Sequence, residues 1–510
     1  MENEATNTSN FSRRRFLQLL SAVTAWAMSR DVSRAKAVAG PALPRPRVKL
    51  RQPCIAIQVG AVSFVDEGIE TVLDILREKA HVNTVWLNTY TWDHGTGGRQ
   101  LEGYPFPDHG RQEVDNDFFG GAVFDYDPKY FRHTVLNQFR SPDYQGRNIL
   151  REVLPKARER NLDVVAWDFF YPNQFNPQRL KNMDRVAEID VRGKPTWAPC
   201  NNNEDWRQHM FGRIEVYLRQ YPEVAGIAWG QERMGPLMNM IGGGWSQPFI
   251  SCFCPLCRKK ARARELSVER AQRGYLELEK LLAAAKREER PSDGYFVSFW
   301  RLLSQYPEIL GWEKLWTDSY QEIRAEVYRL AKSIAPEKPL GFHILHQATL
   351  SPFYRAEEDY AQTANYADFV KPAMYNVAGG GRMAAYLDSL SGTIFHDAKP
   401  EDFLAFYYKA MNYDEAPYAR LRRAGLSAGY VARETQRVLA AVQGRIAVYP
   451  GLDLGVPSHD KQITPEDVRD SVKAAFAAGA PGVVLSRKYS EMTLASLAAA
   501  GQGLREAGVA

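Results

Sequence analysis

A glutamate at the end of an apolar run is the residue of this chain best suited to chemistry. Glu232 follows residues 224–229, a run typical of a buried strand, so the strand would deliver its carboxyl group to a loop. Asp453 ends a later apolar run and offers a second carboxylate, with Asp168 in reserve. Two carboxyl groups flanking a sugar linkage can cleave it, one as the acid and the other as the nucleophile or base. The alternative is that Glu232 is only a polar residue where the chain leaves the core.

A group of cysteines follows this glutamate. Cys252, Cys254 and Cys257 form a C-x-C-x-x-C cluster about twenty residues after Glu232, and Cys200 is a candidate fourth member. Four thiols suit tetrahedral Zn²⁺, which would brace the loop beside Glu232 without taking part in chemistry. A disulfide and free buried thiols are the alternatives. A redox centre is disfavoured because the cluster lacks an isolated C-x-x-C at a helix start.

Eight strands alternating with helices would position these residues. Apolar segments lie at 54–59, 83–88, 162–168, 224–229, 339–346, 367–375, 445–450 and 481–486. Helical periodicity separates them, as at 146–160 and 204–220, and Thr464 is a predicted N-cap before the last strand. The pattern predicts an α/β fold, a (β/α)8 TIM barrel over residues 51–508 with a charged helical insertion at 235–335 between strands 4 and 5. An open doubly wound sheet is the alternative, but no Gly-rich phosphate loop follows strand 1.

Polar and aromatic residues end almost every predicted strand. In a barrel the carboxyl ends of the strands meet at one face, so these residues would line a common pocket. The cations Lys371, Arg487 and Lys488 hint weakly at an acidic sugar, although they could also pair with the carboxylates. The predicted substrate-binding residues are Trp86, Asn88, Trp92, Tyr171, Gln231, His343, His346, Lys371, Tyr375, Asn376 and Arg487.

The layout resembles the clan A glycoside hydrolases. That resemblance implies that Glu232, at the end of strand 4, is the general acid/base, protonated at rest by an aromatic, partly dry pocket. Gln231 departs from the family's Asn, and strand 7 offers Asp453 where the family carries a Glu. The cysteine cluster resembles that of the clan A β-galactosidases and implies a structural zinc at Cys252, Cys254 and Cys257, with Cys200. No organic cofactor is expected.

The amino terminus resembles a twin-arginine export signal. Arg13 and Arg14 precede a short apolar stretch and small residues, so residues 1–39 are predicted to be a signal peptide and 40–50 a linker. A basic amphipathic helix is the alternative. The implied partner is the twin-arginine translocation machinery, and the implied location is the periplasm or the medium.

Charge and motifs narrow the class of protein. The chain has 510 residues and a net charge of +5, and residues 1–39 hold six basic and three acidic residues, so the remainder is near +2. A net charge near +2 does not indicate a nucleic-acid-binding protein. Strand 1 lacks the His-x-His of metal-dependent amidohydrolases. The sequence therefore predicts a glycosidase acting on an oligosaccharide or polysaccharide. A non-catalytic carbohydrate-binding barrel is the rival, and the oligomeric state is open.

Overall fold

The computed structural model describes residues 49–136, 140–144, 146–170, 181–242 and 249–510, with the side chain of Phe170 left out. The predicted signal peptide, most of the linker and Tyr171 lie outside these ranges. Pro46–Ala510 forms one compact unit. No helix among the described residues has both the length and the apolar composition needed to cross a lipid bilayer.

A closed barrel of parallel strands forms the centre of this unit, as predicted. Each strand is hydrogen-bonded to the next along the chain, and the last pairs with the first through Cys54 and Gly482. Closure rules out the open sheet. Among the described residues the barrel strands are β1 Cys54–Val59, β2 Thr84–Asn88, β3 Asp163–Phe170, β4 Gly226–Gln231, β5 Leu340–Ile344, β6 Phe369–Met374, β7 in two pieces, Ala447–Val448 and Gly451–Asp453, and β8 Gly482–Ser486.

Strand β7 differs from its predicted span of 445–450. Pro450 lies between its two pieces and has no amide hydrogen to donate to a ladder. The strand resumes after Pro450 and ends at Asp453, which lies opposite Ser486 of β8.

Helices surround the barrel. The cap predicted at Thr464 is confirmed, because Thr464 and Asp467 form a reciprocal capping box at the start of helix Pro465–Ala477. Outside the segment between β4 and β5, the other α-helices of the described residues are Ala61–Glu67, Ile69–Ala80, Ile149–Glu159, Met183–Val186, Glu204–Glu215 with a π-helical continuation Val216–Gln220, Gln347–Leu350, Pro352–Glu357, Tyr360–Thr363, Asn376–Ser391, Pro400–Met411, Tyr418–Ala424, Ala428–Val442 and Leu494–Glu506.

The segment between β4 and β5 is helical. Its described residues form helices Pro236–Ile241, Pro255–Arg262, Val268–Lys286, Tyr295–Gln305 and Glu308–Ile334. Two short antiparallel pairs join Tyr90–Thr91 to Gly121–Ala122 and Ala187–Ile189 to Pro195–Pro199. Short 3-10 turns lie at Pro128–Phe131, Pro142–Tyr144 and Tyr489–Glu491.

Alternation along the strands separates a barrel interior from a helix-facing layer. Trp86, Trp167, Phe369 and Tyr449 lie in one buried interior cluster, with the Trp86 and Phe369 rings 5.6 Å apart. One step further along β6, Lys371 lies opposite His343 of β5. The aromatic rings therefore fill the barrel below a polar layer at the carboxyl ends of the strands.

Candidate active site at the carboxyl ends of the strands

Glu232 lies in the barrel mouth directly after β4. Its side chain is 24% exposed, and Oε1 is 2.9 Å from His343 Nε2. Burial raises the pKa of this carboxyl, but the His343 hydrogen bond and the charges of Arg382 and Lys371 outweigh it and lower the pKa below its usual value. The expectation of a protonated Glu232 at rest is therefore wrong. The His343 hydrogen bond, with smaller contributions from the nearby cations, favours the ionised carboxylate.

His343 and Lys371 form the buried floor beneath Glu232. Burial and the Lys371 charge lower the pKa of His343 to about 4, so a neutral imidazole donates its Nε2 hydrogen to Glu232. Burial lowers the pKa of Lys371 to about 7, while Glu232 opposes the shift. Lys371 Nζ donates to the Tyr375 hydroxyl at 2.8 Å. The floor thus offers a weakly basic amine and a phenol one layer below the carboxylate.

Lys371 has this space because β7 carries a glycine beside it. A Cβ on Gly451 would collide with the Lys371 Cε atom. The side chain of Lys371 therefore runs across the β7 backbone at the height of the polar layer. A larger residue at 451 would displace the amine.

Two arginines stand at the mouth beside Glu232. Arg382, from helix Asn376–Ser391, donates from Nη1 to His346 Nδ1 at 3.0 Å. Arg487 follows β8, and its Nε is 2.9 Å from Glu491 Oε2. Sequence reasoning missed Arg382 because it lies inside a helix and not at a strand end. The pairing also fixes the tautomer of His346, whose Nε2 lies 3.2 Å from the Tyr430 hydroxyl and donates to it.

Asp453 is fully buried and is held by the backbone. Its Oδ2 accepts from the Ala378 amide at 3.1 Å, and its Oδ1 accepts from the Gly455 and Val456 amides at 3.1 and 2.9 Å. Burial raises the pKa of Asp453, and these hydrogen bonds oppose the rise. The contacts tie the start of helix Asn376–Ser391 to the loop after β7. They favour a structural role over the predicted nucleophile.

Asp168 faces away from the pocket. Its Oδ1 pairs with Arg213 at 2.7 Å, and its Oδ2 accepts from the Tyr217 hydroxyl at 2.9 Å. Both partners belong to the helical segment 204–220 outside the barrel. Alternation along β3 explains this, because Trp167 and Phe169 take the inward positions. The prediction of Asp168 as a reserve nucleophile is not supported.

Several predicted binding residues belong to the core. Trp86 is fully buried in the interior cluster, and Trp92 packs edge-on against Tyr90 with ring centroids 5.9 Å apart. Gln231 is buried, and alternation along β4 points its side chain toward the helices; its backbone carbonyl accepts from the Tyr320 hydroxyl at 2.7 Å. These three side chains are therefore buried among packed residues.

The remaining predicted residues lie near the mouth. Asn88 ends β2 with its side-chain amide buried and without a hydrogen-bond partner among the described residues. Asn376 donates to the Leu426 carbonyl at 3.4 Å and so holds a loop. The structure therefore brings together Glu232, His343, His346, Lys371, Tyr375 and Arg487, and adds Arg382.

A buried ion pair holds the loop that carries Glu232. Arg233 forms a two-pronged pair with Glu188, and both side chains are at most 1% exposed. Ser251 donates to Glu188 Oε2 at 2.6 Å, and the Arg233 guanidinium lies 5.1 Å from the centroid of Trp316. Arg233, the residue after Glu232, is thereby fixed to the hairpin at 187–199 and to the loop that carries Ser251 and Cys252.

The four predicted cysteines meet next to this ion pair. The Sγ atoms of Cys200, Cys252, Cys254 and Cys257 all lie within 4.8 Å of one another, and all four residues are buried. Cys200 Sγ is 3.6 Å from the sulfurs of Cys254 and of Cys257, well beyond the bonded S–S length of about 2.05 Å. Tetrahedral zinc with Zn–S bonds of about 2.3 Å needs sulfurs about 3.8 Å apart. The donor set therefore fits a metal.

Nitrogen donors approach the same sulfurs. Asn202 reaches Cys200 through its backbone N–H at 3.4 Å and Cys257 through its side-chain amide at 3.3 Å. The Arg233 charge lies near Cys252 and Cys257. N–H donors and a neighbouring cation stabilise thiolates, the form that binds metals.

Comparison with known proteins leaves the family open. No family model and no curated protein matches the chain. A β-galactosidase from the Antarctic haloarchaeon Halorubrum lacusprofundi is similar in structure, at 13% identity and a TM-score of 0.50, over 89% of this chain and 58% of that one. A β-galactosidase from Marinomonas ef1 matches at 10% identity and 0.48, over 90% and 61%. The PgaB glycoside hydrolase domain from Bordetella bronchiseptica matches at 10% and 0.46, over 89% and 98%.

These likenesses concern the fold. The chain spans about three fifths of the two β-galactosidases. The fold and the site define a (β/α)8-barrel protein with a glutamate at the end of β4, three cationic side chains near it and a buried cluster of four cysteines.

Proposed function

We propose that the protein is a glycoside hydrolase-like enzyme that uses Glu232 as its acid/base. The single observation that carries this proposal is the partly exposed Glu232 carboxylate at the end of β4, held by His343 above a polar floor. The similar barrel from Halorubrum lacusprofundi is a β-galactosidase, which agrees with the class. The substrate would be an oligosaccharide or polysaccharide.

The geometry suggests how Glu232 would work. An ionised carboxylate can take a proton from an attacking water or hydroxyl group. To protonate a leaving oxygen it must first bind a proton, so its pKa has to rise when substrate enters and excludes water. His343 keeps the carboxylate oriented, and Asp453 holds the loop opposite. Attack by Asp453 itself would require the loss of its backbone hydrogen bonds.

Turnover of aryl glycosides tests this proposal. A panel of para-nitrophenyl glycosides should include at least one that is hydrolysed, and Glu232→Gln should lower kcat by about 100-fold or more, the usual contribution of an acid/base group. Glu289→Gln, in the exposed turn after helix Val268–Lys286, is the matched control and should leave kcat unchanged. Equal turnover by Glu232→Gln and the wild type would refute the role of Glu232.

A non-catalytic carbohydrate-binding protein is the second candidate. It is favoured by the hydrogen bonds that occupy both oxygens of Asp453, which leave Glu232 without an available carboxylate partner on β7. This candidate predicts oligosaccharide binding by calorimetry with no hydrolysis of any glycoside in the panel.

We also propose that Cys200, Cys252, Cys254 and Cys257 bind a structural zinc ion. Their buried, mutually close sulfurs support it. The metal would brace the loop that follows Glu232. Native mass spectrometry should find one zinc per chain in the wild type and none after Cys254→Ser.

Export by the twin-arginine pathway is proposed from the sequence. Replacement of Arg13 and Arg14 by Lys should leave the protein in the cytoplasm, whereas the wild type should reach the periplasm or the medium. Cell fractionation measures this directly. Equal export of both forms would contradict it.

A further inference from the structure

We propose that Arg382 and Arg487 form a clamp for the carboxylate of an acidic sugar, so that the substrate contains a uronic acid. This inference deepens the proposed function and rests on it. The name arginine clamp is used below for these two residues.

The two arginines reach the same place from different elements. Arg382 comes from the helix after β6, and Arg487 from the loop after β8, and both residues are partly exposed. Ser486, the residue before Arg487, lies opposite Asp453. Asp453 accepts from the amide of Ala378, one helical turn before Arg382. The Arg382 Cζ atom lies 5.7 Å from the centroid of the Tyr375 ring. Burial, and then the neighbouring Arg487 charge, lower the pKa of Arg382. Guanidinium groups match carboxylates geometrically, and a bound carboxylate would relieve this repulsion.

Each guanidinium is already oriented by the protein. Glu491 holds Arg487 through Nε and Nη2, which leaves Nη1 without a partner among the described residues. His346 accepts from Nη1 of Arg382. A clamp whose donors are fixed in advance loses little entropy when a ligand binds.

Several positive side chains lie around the clamp. The charges of Arg382, Arg487 and Lys371 act on Glu232, and the neutral His343 and His346 add none. On the anionic side, Glu491 is engaged by Arg487 and Lys488, and Asp453 by backbone amides. Lys488 itself binds the carbonyls of Gly95 and Gly98 and so holds a loop. A carboxylate bound at the mouth would therefore meet the positive charges of Arg382 and Arg487.

A bound carboxylate would also complete the chemistry of Glu232. The Arg382 and Lys371 charges contribute to the low pKa of Glu232 in the free protein. An anion in the clamp offsets those charges, so the pKa of Glu232 rises when an acidic sugar binds. The substrate would thus convert the ionised carboxylate into the general acid that cleavage needs.

Matched ligands test the clamp. D-glucuronate and D-galacturonate differ from D-glucose and D-galactose by a carboxylate in place of a hydroxymethyl group. Calorimetry should show each uronate binding at least about tenfold tighter than its neutral partner, as expected for a charge-assisted hydrogen bond. Arg382→Gln should remove most of that preference. The control Arg301→Gln, at an exposed arginine, should retain it.

A second variant separates binding from folding. Glu232→Gln removes a negative charge from the mouth, so it should bind glucuronate at least as tightly as the wild type does. Equal affinity for uronates and neutral sugars, or no uronate binding, overturns the clamp. If neutral para-nitrophenyl glycosides are then cleaved with dependence on Glu232, the glycosidase proposal stands alone. If uronates bind selectively but no uronide is cleaved, the clamp stands and the glycosidase proposal fails.

Discussion

Removing Glu188 tests how the loop that follows Glu232 is held. In Glu188→Gln, Arg233 stays buried without its counter-ion, and Ser251 loses a charged acceptor. Breaking a buried ion pair from one side costs about 3–5 kcal/mol, because the remaining charge is uncompensated. Neutralising the acidic partner of an exposed ion pair should leave the stability almost unchanged.

The expected change in melting temperature follows from the size of the folded unit. An unfolding entropy of about 2.1 cal/mol/K per residue over Pro46–Ala510 gives about 1 kcal/mol per degree. Glu188→Gln should therefore melt about 3–5 °C below the wild type. Asp293→Asn breaks the exposed pair with Arg301, in which both side chains are about half exposed, and should shift the melt by less than about 1 °C.

The double variant provides the decisive comparison. Glu188→Leu with Arg233→Met removes both charges and leaves an apolar pair beside Trp316, so it should recover most of the lost stability. Differential scanning calorimetry of the single and double variants measures this coupling. The reasoning is refuted if Glu188→Gln melts within about 1 °C of the wild type, or if the double variant is no more stable than Glu188→Gln.

Three further predictions concern metal and pH. Chelation of zinc should lower the melting temperature of the wild type and not that of Cys254→Ser, as measured by scanning fluorimetry. Burial lowers the pKa of Lys371 to about 7, so folding with this amine buried costs stability. That loss of stability is full below about pH 7 and fades between about pH 7 and 10.5. Lys371→Met should therefore stabilise the protein more at pH 6 than at pH 9. His109 lies 3.1 Å from Glu67, and although burial opposes it, this hydrogen bond raises the pKa of His109; His109→Gln should destabilise most below pH 6.5, with the loss shrinking as pH rises through the raised pKa. A melting difference independent of pH would contradict either of the last two.

The barrel could be predicted because each strand is a short apolar run bounded by polar residues. Whether each residue at a strand end points into the barrel or toward the helices is harder to predict from the sequence. Gln231 and Glu232 are adjacent, so alternation allows only one of them to face the interior, and Asp168 lies between the inward Trp167 and Phe169. The period of two fixes these directions only when one inward residue of the strand is known.

Contacts between distant segments explain the other differences. The hydrogen bonds of Asp453 come partly from Ala378, far away in the sequence, and no local pattern marks them. Arg382 reaches the mouth from within a helix whose first residue follows β6 closely. The four cysteines were identifiable because thiols of this spacing have few other uses, whereas an arginine within a helix is commonplace.

The contact between Gly451 and Lys371 limits how this barrel can be altered. A carboxylate added at position 451 would displace the Lys371 amine, since its Cβ would meet the end of that side chain. Shortening Lys371 in the same step would make room for an engineered nucleophile on β7, but it would also remove a positive charge from beneath Glu232 and free the Tyr375 hydroxyl. The two positions are therefore coupled, and a library that varies both together reaches combinations that single substitutions do not.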